Sequence, residues 1–457
     1  MTDTGEAMDD ADENRWADPD TLLGLLQRGR GAGYRRSLVQ RDEARPLVVH
    51  CITRDPRWDR QLEERACFYA ALVAELNIDL SLLRAAYAGP LGTTTVLHAN
   101  GASTVVVPDD SDAWLALEVF EFVARRGDPD GIAELRRYLR SARDVMLALE
   151  FLLPLASYPA ASGLLADILE TVDSENLHEA LGCVSDFTSA PWPTWRRASA
   201  VLDHVVRDIL SQRAPRPKPV PSDERRRERA VDTRNLLLRA GREAEPGTVQ
   251  ARLVELDDDR AEHTLLDIAP TILADPAIEQ RVKGGVRRTL WSLRSPESLA
   301  WARATASLDS EGGLSAVHLL AERAQEVDLP QLRALLDAAV AAGNYHTYMY
   351  AQCSLVEGIG RLGDRASVAV IRTLFDEAVY SRLRERCARA LSVIDGDFAA
   401  TRAVECLYDS APGTRLIAVT AADASRPDIA ERLTAITLDP TEDEDVCRQA
   451  AGRLGET

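Results

Sequence analysis

Residues 363–395 read GDRASVAVIRTLFDEAVYSRLRERCARALSVID, and residues 396–428 read GDFAATRAVECLYDSAPGTRLIAVTAADASRPD. At an offset of 33, Gly363-Asp364 meets Gly396-Asp397, Leu374 meets Leu407, Asp376 meets Asp409, and Ser381-Arg382-Leu383 meets Thr414-Arg415-Leu416. A unit of that length made of two short helices buries its apolar face only against its neighbours, so the repeat predicts a stack of helix pairs. Leu374, Leu407, Leu383 and Leu416 are then expected in the shared core. Asp376 and Asp409 each precede an arginine, Arg382 and Arg415, by six residues. That spacing puts an acid at the end of one helix and a base at the start of the next, which predicts a structural ladder of charges along the turns.

Working outward, apolar residues recur at helical spacing from Trp114 onward, in segments of about 10 to 16 residues broken by Gly, Pro or Asp turns. Helix follows helix without intervening strands, which excludes doubly wound α/β folds and TIM barrels. One segment, Thr93 to Val107, has strand composition instead. Asn100-Gly101 suits a type I′ turn that would pair Leu97 with Thr104, Val96 with Val105 and Thr94 with Val107, predicting a β-hairpin.

Gly363-Asp364, the apolar helix ending in Leu374-Phe375-Asp376, Arg382 and the second helix from Arg386 to Ile394 together resemble a HEAT repeat of the short bacterial type. The resemblance covers residues 330–422 best and extends, more weakly, to Trp114–Val206 and Pro270–Ala324. It implies an all-α, armadillo-type superhelix, a HEAT-like solenoid carrying one β-hairpin insertion. Its implied function is a non-catalytic scaffold or adaptor that binds a protein or peptide along a groove. Two other implications accompany it. Helical-repeat DNA glycosylases hold duplex DNA or a phosphate ligand on such a scaffold, and phycobilisome lyases and lyase chaperones are built from similar repeats.

The expected organisation is an acidic disordered tail (1–19), an N-terminal helical region with the hairpin at 93–107 (20–112), helical repeats (113–212), a Pro/Arg-rich linker or loop (213–229) and C-terminal repeats (230–457). The first twenty residues hold eight acids and one base, unlike a secretory signal, and the most apolar stretch, Val145 to Ser157, falls short of the ~18 residues a membrane span needs. Seven cysteines, an odd number without CxxC spacing, read as reduced core thiols of a cytoplasmic protein. The net charge of -19 disfavours polyanions and anionic membranes and predicts a partner with a basic surface.

The residues point to no catalytic, metal or cofactor site. A single His178-Glu179 dipeptide cannot supply the ligands of a di-iron centre of the kind HEAT-repeat hydroxylases carry on several repeats. Arg28-Gly29-Arg30-Gly31-Ala32-Gly33 is glycine-rich, but no strand precedes it and its spacing is not that of a phosphate cradle. A Cys-His dyad from Cys51 or Cys67 is the remaining formal possibility for a nucleophile. Asp55-Pro56-Arg57-Trp58-Asp59 reads as a turn and helix start with Pro56 at its first position. The candidate partner-binding residues are the exposed-aromatic cluster Tyr345, His346, Tyr348 and Tyr350, which cannot all face one core, and Arg35 and Arg36 of the basic segment Arg28–Arg45.

Overall fold

A computed structural model describes residues 16–90, 92–97, 104–141, 143–158, 161–213, 259–276, 278, 280–342 and 345–455. Eleven helices come first among them: α1 (Leu22–Gln27), α2 (Gly31–Val39), α3 (Arg41–Thr53), α4 (Ala66–Leu76), α5 (Trp114–Arg125), α6 (Pro129–Arg140), α7 (Val145–Leu152), α8 (Leu164–Thr171), α9 (Ser174–Gly182), α10 (Trp192–Ala198) and α11 (Ala200–Arg213). Then follow α12 (Asp259–Ala274), α13 (Gln280–Ser292), α14 (Pro296–Thr305), α15 (Glu311–Arg323), α16 (Leu329–Ala341), α17 (Tyr345–Arg361), α18 (Val368–Glu377) and α19 (Ser381–Ile394). The last four are α20 (Arg402–Cys406), α21 (Pro412–Ala421), α22 (Pro427–Leu438) and α23 (Glu444–Gly455). Strands β1 (Gly92–Leu97) and β2 (Thr104–Asp109) pair antiparallel, with Thr94 opposite Val107 and Val96 opposite Val105. The Asn100-Gly101 turn lies outside the described residues, as do residues 1–15 of the tail and 214–229 of the Pro/Arg segment.

The chain divides into two compact units, and the division differs from the expected one. Among the described residues one unit takes 259–398; the other takes 16–213 together with 399–455, so the C-terminal block expected at 230–457 is split. Within the first unit α14, α16 and α18 each pack against the following helix, and α15, α17 and α19 pack successively on one another. Their core is formed by Leu320, Leu336, Leu355, Ile359, Leu374, Phe375, Leu383 and Leu391, each at most 1% exposed.

A charged ladder runs along this unit, made from residues other than those the repeat suggests. Arg303 of α14 donates to both carboxylate oxygens of Asp328, at 2.8 and 2.9 Å. Arg333 of α16 does the same to Asp364, with Nε–Oδ2 at 2.7 Å, and Arg372 of α18 to Asp395, at 2.7 and 2.6 Å. The aspartates are buried in the turns, where they also accept local hydrogen bonds: Asp364 from Ala366 N and the Ser367 hydroxyl, and Asp395 from Asp397 N. The hydrogen bond from the paired arginine, against the cost of burial, holds Asp328 and Asp364 below the usual carboxylate range.

The 33-residue ladder needs correction. Asp409 is buried at the turn, its backbone carbonyl accepts from Arg415 Nη1 at 2.8 Å, and Arg415 pairs with Glu442 at 2.8 Å. Arg382, however, is exposed and meets only Glu385 at 3.6 Å, Asp376 is half-buried, and Leu416 is half-buried where Leu383 is fully buried. The reason is where each helix starts. Pro412 occupies the first position of α21, as its fixed φ favours, whereas α19 starts at Ser381, so the residue matching Arg415 in fourth place is Arg384. Arg384 is fully buried. The sequence match follows turn residues, while burial follows the helix start.

The second unit has one continuous core running from Leu22 and Leu26 through Val48, Tyr69, Leu72, Phe120, Leu149 and Leu164 to Ile209. Its N- and C-terminal segments meet at the glycine-rich stretch. Gly29 has a φ of 65°, and a Cβ there would lie 2.3 Å from Ser410 Oγ; a Cβ on Gly31 would lie 1.9 Å from the Glu405 carbonyl oxygen. Ser410 N donates to Gly29 O at 2.9 Å, and buried Arg30 pairs with Glu405 at 2.8 Å. The glycines therefore serve close packing. Residues 16–19, expected within the disordered tail, are fastened: Trp16 donates to the Pro56 carbonyl at 2.9 Å and Ala17 N to Gln27 at 2.7 Å.

Replacing Gly31 with Ala should destabilise this unit by about 1–3 kcal/mol or more, because neither backbone can give way freely. Arg415→Ala should cost about 3–5 kcal/mol by leaving Glu442 buried without its partner, whereas Arg382→Ala should stay within about 0.5 kcal/mol. Urea unfolding of the three variants tests this; equal losses for both arginines would restore the 33-residue register.

Candidate functional site

A groove of the second unit has a volume of about 780 Å³ and is lined by α4, the turn that follows it, the end of α5 and the start of α6. Each wall ends there for a local reason. Asn77 adopts a left-handed φ of 53° and closes α4, and Asp79 accepts from Ser81 N to start the 3₁₀ helix Leu80–Tyr87. Gly127, with φ 94°, ends α5, and Asp128 caps α6 ahead of Pro129. These two caps, with Asp130, place three exposed carboxylates at one mouth. Along the wall Arg84 grips Glu134 through both oxygens, at 2.7 and 2.5 Å.

A smaller cavity of about 190 Å³ shares Ala74 and Arg126 with this groove and is closed by α2, α4 and the C-terminal helices α21 and α22 with the segments that precede and follow them. Arg126 ties them together, donating to Asp439 at 2.6 Å, Thr441 Oγ1 at 3.1 Å and Cys67 Sγ at 3.7 Å. Tyr34 stacks on Phe68 and Tyr408, with centroids 5.8 and 5.4 Å apart. Arg432 lies 4.4 Å above the Tyr408 ring and Arg35 6.0 Å from it. Burial pushes the Tyr34 phenol up to about 12 and the Cys67 thiol above its ordinary range, so both stay neutral at physiological pH.

The segment joining α3 to α4 holds the α4 wall against α5 with buried charge. Asp55 takes Arg57 in two bonds of 2.9 and 2.8 Å, Arg57 reaches Glu118 of α5 at 3.0 Å, and Glu63 pairs with Arg65 at 2.7 Å. No helix starts at Pro56, contrary to expectation, because Arg57 turns inward to these carboxylates instead of outward from a first turn.

Of the residues expected to bind a partner, Arg35 lies beside the small cavity, whereas Arg36 is taken up by Gln40 at 2.5 Å and the Asp20 carbonyl. Tyr345, His346, Tyr348 and Tyr350 lie on α17 of the other unit. The side chains of Tyr345 and His346 are outside the described residues; Tyr348 is half-buried, and Tyr350 is 58% exposed with its ring edge-on to Tyr380. Cys51, proposed for a dyad, is fully buried with its thiol pushed up to about 12. His178 pairs with Asp208 at 3.0 Å. Among the described residues no three His, Cys, Asp or Glu side chains group as metal ligands, and no helix is long and apolar enough to cross a membrane. The groove carboxylates carried one sequence signal, the Asn77-x-Asp79 and Gly127-Asp128-Pro129 caps, but nothing in the sequence shows that the two turns meet.

No family model matches the chain, and neither does any curated protein or solved structure.

Burial holds the Glu118 carboxyl up at about 7 against its ordinary 4.5, with Arg57 opposing the rise and Glu121 and Asp55 adding to it. The fold thus favours protonated Glu118: its contribution is full below pH 4.5 and gone once pH passes about 7. Glu118→Gln should remove that part of the pH dependence, raising stability at pH 8 relative to pH 5 by on the order of 1–3 kcal/mol compared with the parent chain. Identical pH profiles in urea unfolding would show that Glu118 is ionised throughout.

Proposed function

We propose that this chain is a non-catalytic intracellular scaffold of the HEAT type, its helix pairs stacked as an α-solenoid, and that the 780 Å³ groove receives a basic segment of a protein partner. The observation that carries the reading is that exposed Asp79, Asp128 and Asp130 line one groove whose arginines face other carboxylates, Arg84 and Arg137 on Glu134 and Arg126 on Asp439. Exposed carboxylates attract lysine and arginine side chains, and the net charge of -19 steers basic surfaces toward the chain. The packing of α15, α17 and α19 on one another supports the stacked arrangement, and seven free cysteines fit a reducing compartment.

The test uses a fluorescent peptide alternating Arg with small polar residues. Asn at positions 79, 128 and 130 should weaken its binding about tenfold or more at low salt. A control that neutralises Asp443, Glu444 and Asp445, with the same change in net charge, should weaken it far less. Equal losses would reduce the effect to overall charge and defeat the groove. Tight binding of plain duplex DNA at physiological salt would instead favour the nucleic-acid reading.

A further inference from the structure

A second groove of the same unit, about 740 Å³, lies among α5, α7, α9 and α10 and differs in chemistry from the first. Its walls are apolar and aromatic, with Trp114, Met146, Leu147, Leu153 and Trp192 among them. All three charged residues that line it, Asp144, Glu150 and Asp186, are carboxylates. Two of them serve the backbone: Asp144 caps α7 through Leu147 N at 2.9 Å, and Asp186 accepts from Thr188 N at 2.7 Å and Thr188 Oγ1 at 2.6 Å. Glu150 has no hydrogen-bond or ion-pair partner among the described residues. Nearby arginines are engaged elsewhere, Arg143 on Asp110 and Arg213 on the carbonyls of Val184 and Gly182.

We propose that this groove binds a small organic cation with an apolar body, its charge facing Glu150 and its bulk lying against Trp114 and Trp192. A cation is drawn to the faces of indole rings, and the attraction grows where water is displaced. The volume falls within the range of small-ligand sites. Hydrogen bonds from Ser189 and Thr188 hold the Asp186 carboxyl down at about 2, so its charge persists across the physiological range. This ligand is independent of the basic segment proposed for the first groove, since the two share no lining residue.

Tetraphenylphosphonium and tetraphenylborate have one shape and opposite charge, and titration of each into the full chain isolates the sign of the ligand. The cation should bind saturably and the anion at least about tenfold more weakly. Exposed Cys183, which lines the groove, should be protected from a maleimide when the phosphonium saturates. Because Glu150 is exposed, Glu150→Gln should leave folding intact and weaken the phosphonium about three- to tenfold. Equal affinity for both ions, unchanged Cys183 labelling at saturation, or unaltered phosphonium binding by the Glu150→Gln variant would overturn the proposal. So would displacement of the phosphonium by a lower concentration of a basic amphipathic peptide, which would assign the groove to a protein.

Discussion

Close approach between the α1–α2 turn and the segment 405–410 is the constraint on which the second unit depends. Only residues without a Cβ allow it: at Gly31 a single methyl would lie 1.9 Å from the Glu405 carbonyl oxygen. Once the backbones touch, Arg30 meets Glu405, Tyr34 meets Tyr408, and Arg126 reaches Asp439 across more than three hundred residues of chain. The smaller cavity draws its walls from both sides of that contact, Tyr34 and Phe68 from one and Tyr408, Arg415 and Arg432 from the other, which gives it a mixed aromatic and cationic character. Loop closure over such a separation is entropically costly, which explains why the contact combines a backbone hydrogen bond, a buried ion pair and ring stacking.

Arginine plays two distinct parts in this lysine-poor chain. In the unit spanning 259–398 three arginines act as half-exposed struts: Arg303, Arg333 and Arg372 each lean from a first helix onto an aspartate that organises a later turn. Such bidentate pairs are individually modest but set spacing through their fixed fork geometry. In the other unit Arg57, Arg65 and Arg415 are buried, and there pairing with Asp55, Glu63 and Glu442 offsets part of the desolvation cost. In both settings removal of the arginine leaves a buried carboxylate without its cation, but the strut aspartates keep hydrogen bonds from their own turns.

The two grooves separate by what surrounds their carboxylates. At Asp79, Asp128 and Asp130 the acids ring an open polar mouth, where only a charged, solvated partner gains much. Around Glu150 the acids border tryptophan and methionine, where an ion without an apolar body would lose more hydration than it recovers. On the proposed reading, similar charge would select different ligands, because the local dielectric decides how much each charge is worth.

Composition and periodicity determined the helical character of the chain, and local side-chain chemistry determined the turns and the hairpin strands: Asp before Pro, Asn or Gly at a left-handed close, and β-branched Thr and Val in residues 93–97 and 104–107. These are short-range effects, fixed by steric preference and by hydrogen bonds within a few residues. The 33-residue match showed a repeat but not its burial register, because Pro412 sets the start of α21 and no pairwise comparison of residues weighs that restriction against an aligned Arg-Leu. The role of Gly29 and Gly31 was likewise hidden, since a glycine records only that a side chain is missing and not which distant backbone fills the space. Tertiary structure alone decided that 399–455 joins 16–213, that Arg57 turns inward and that three helix caps share one groove, for these are contacts between segments far apart in sequence, selected by the packing of the whole core.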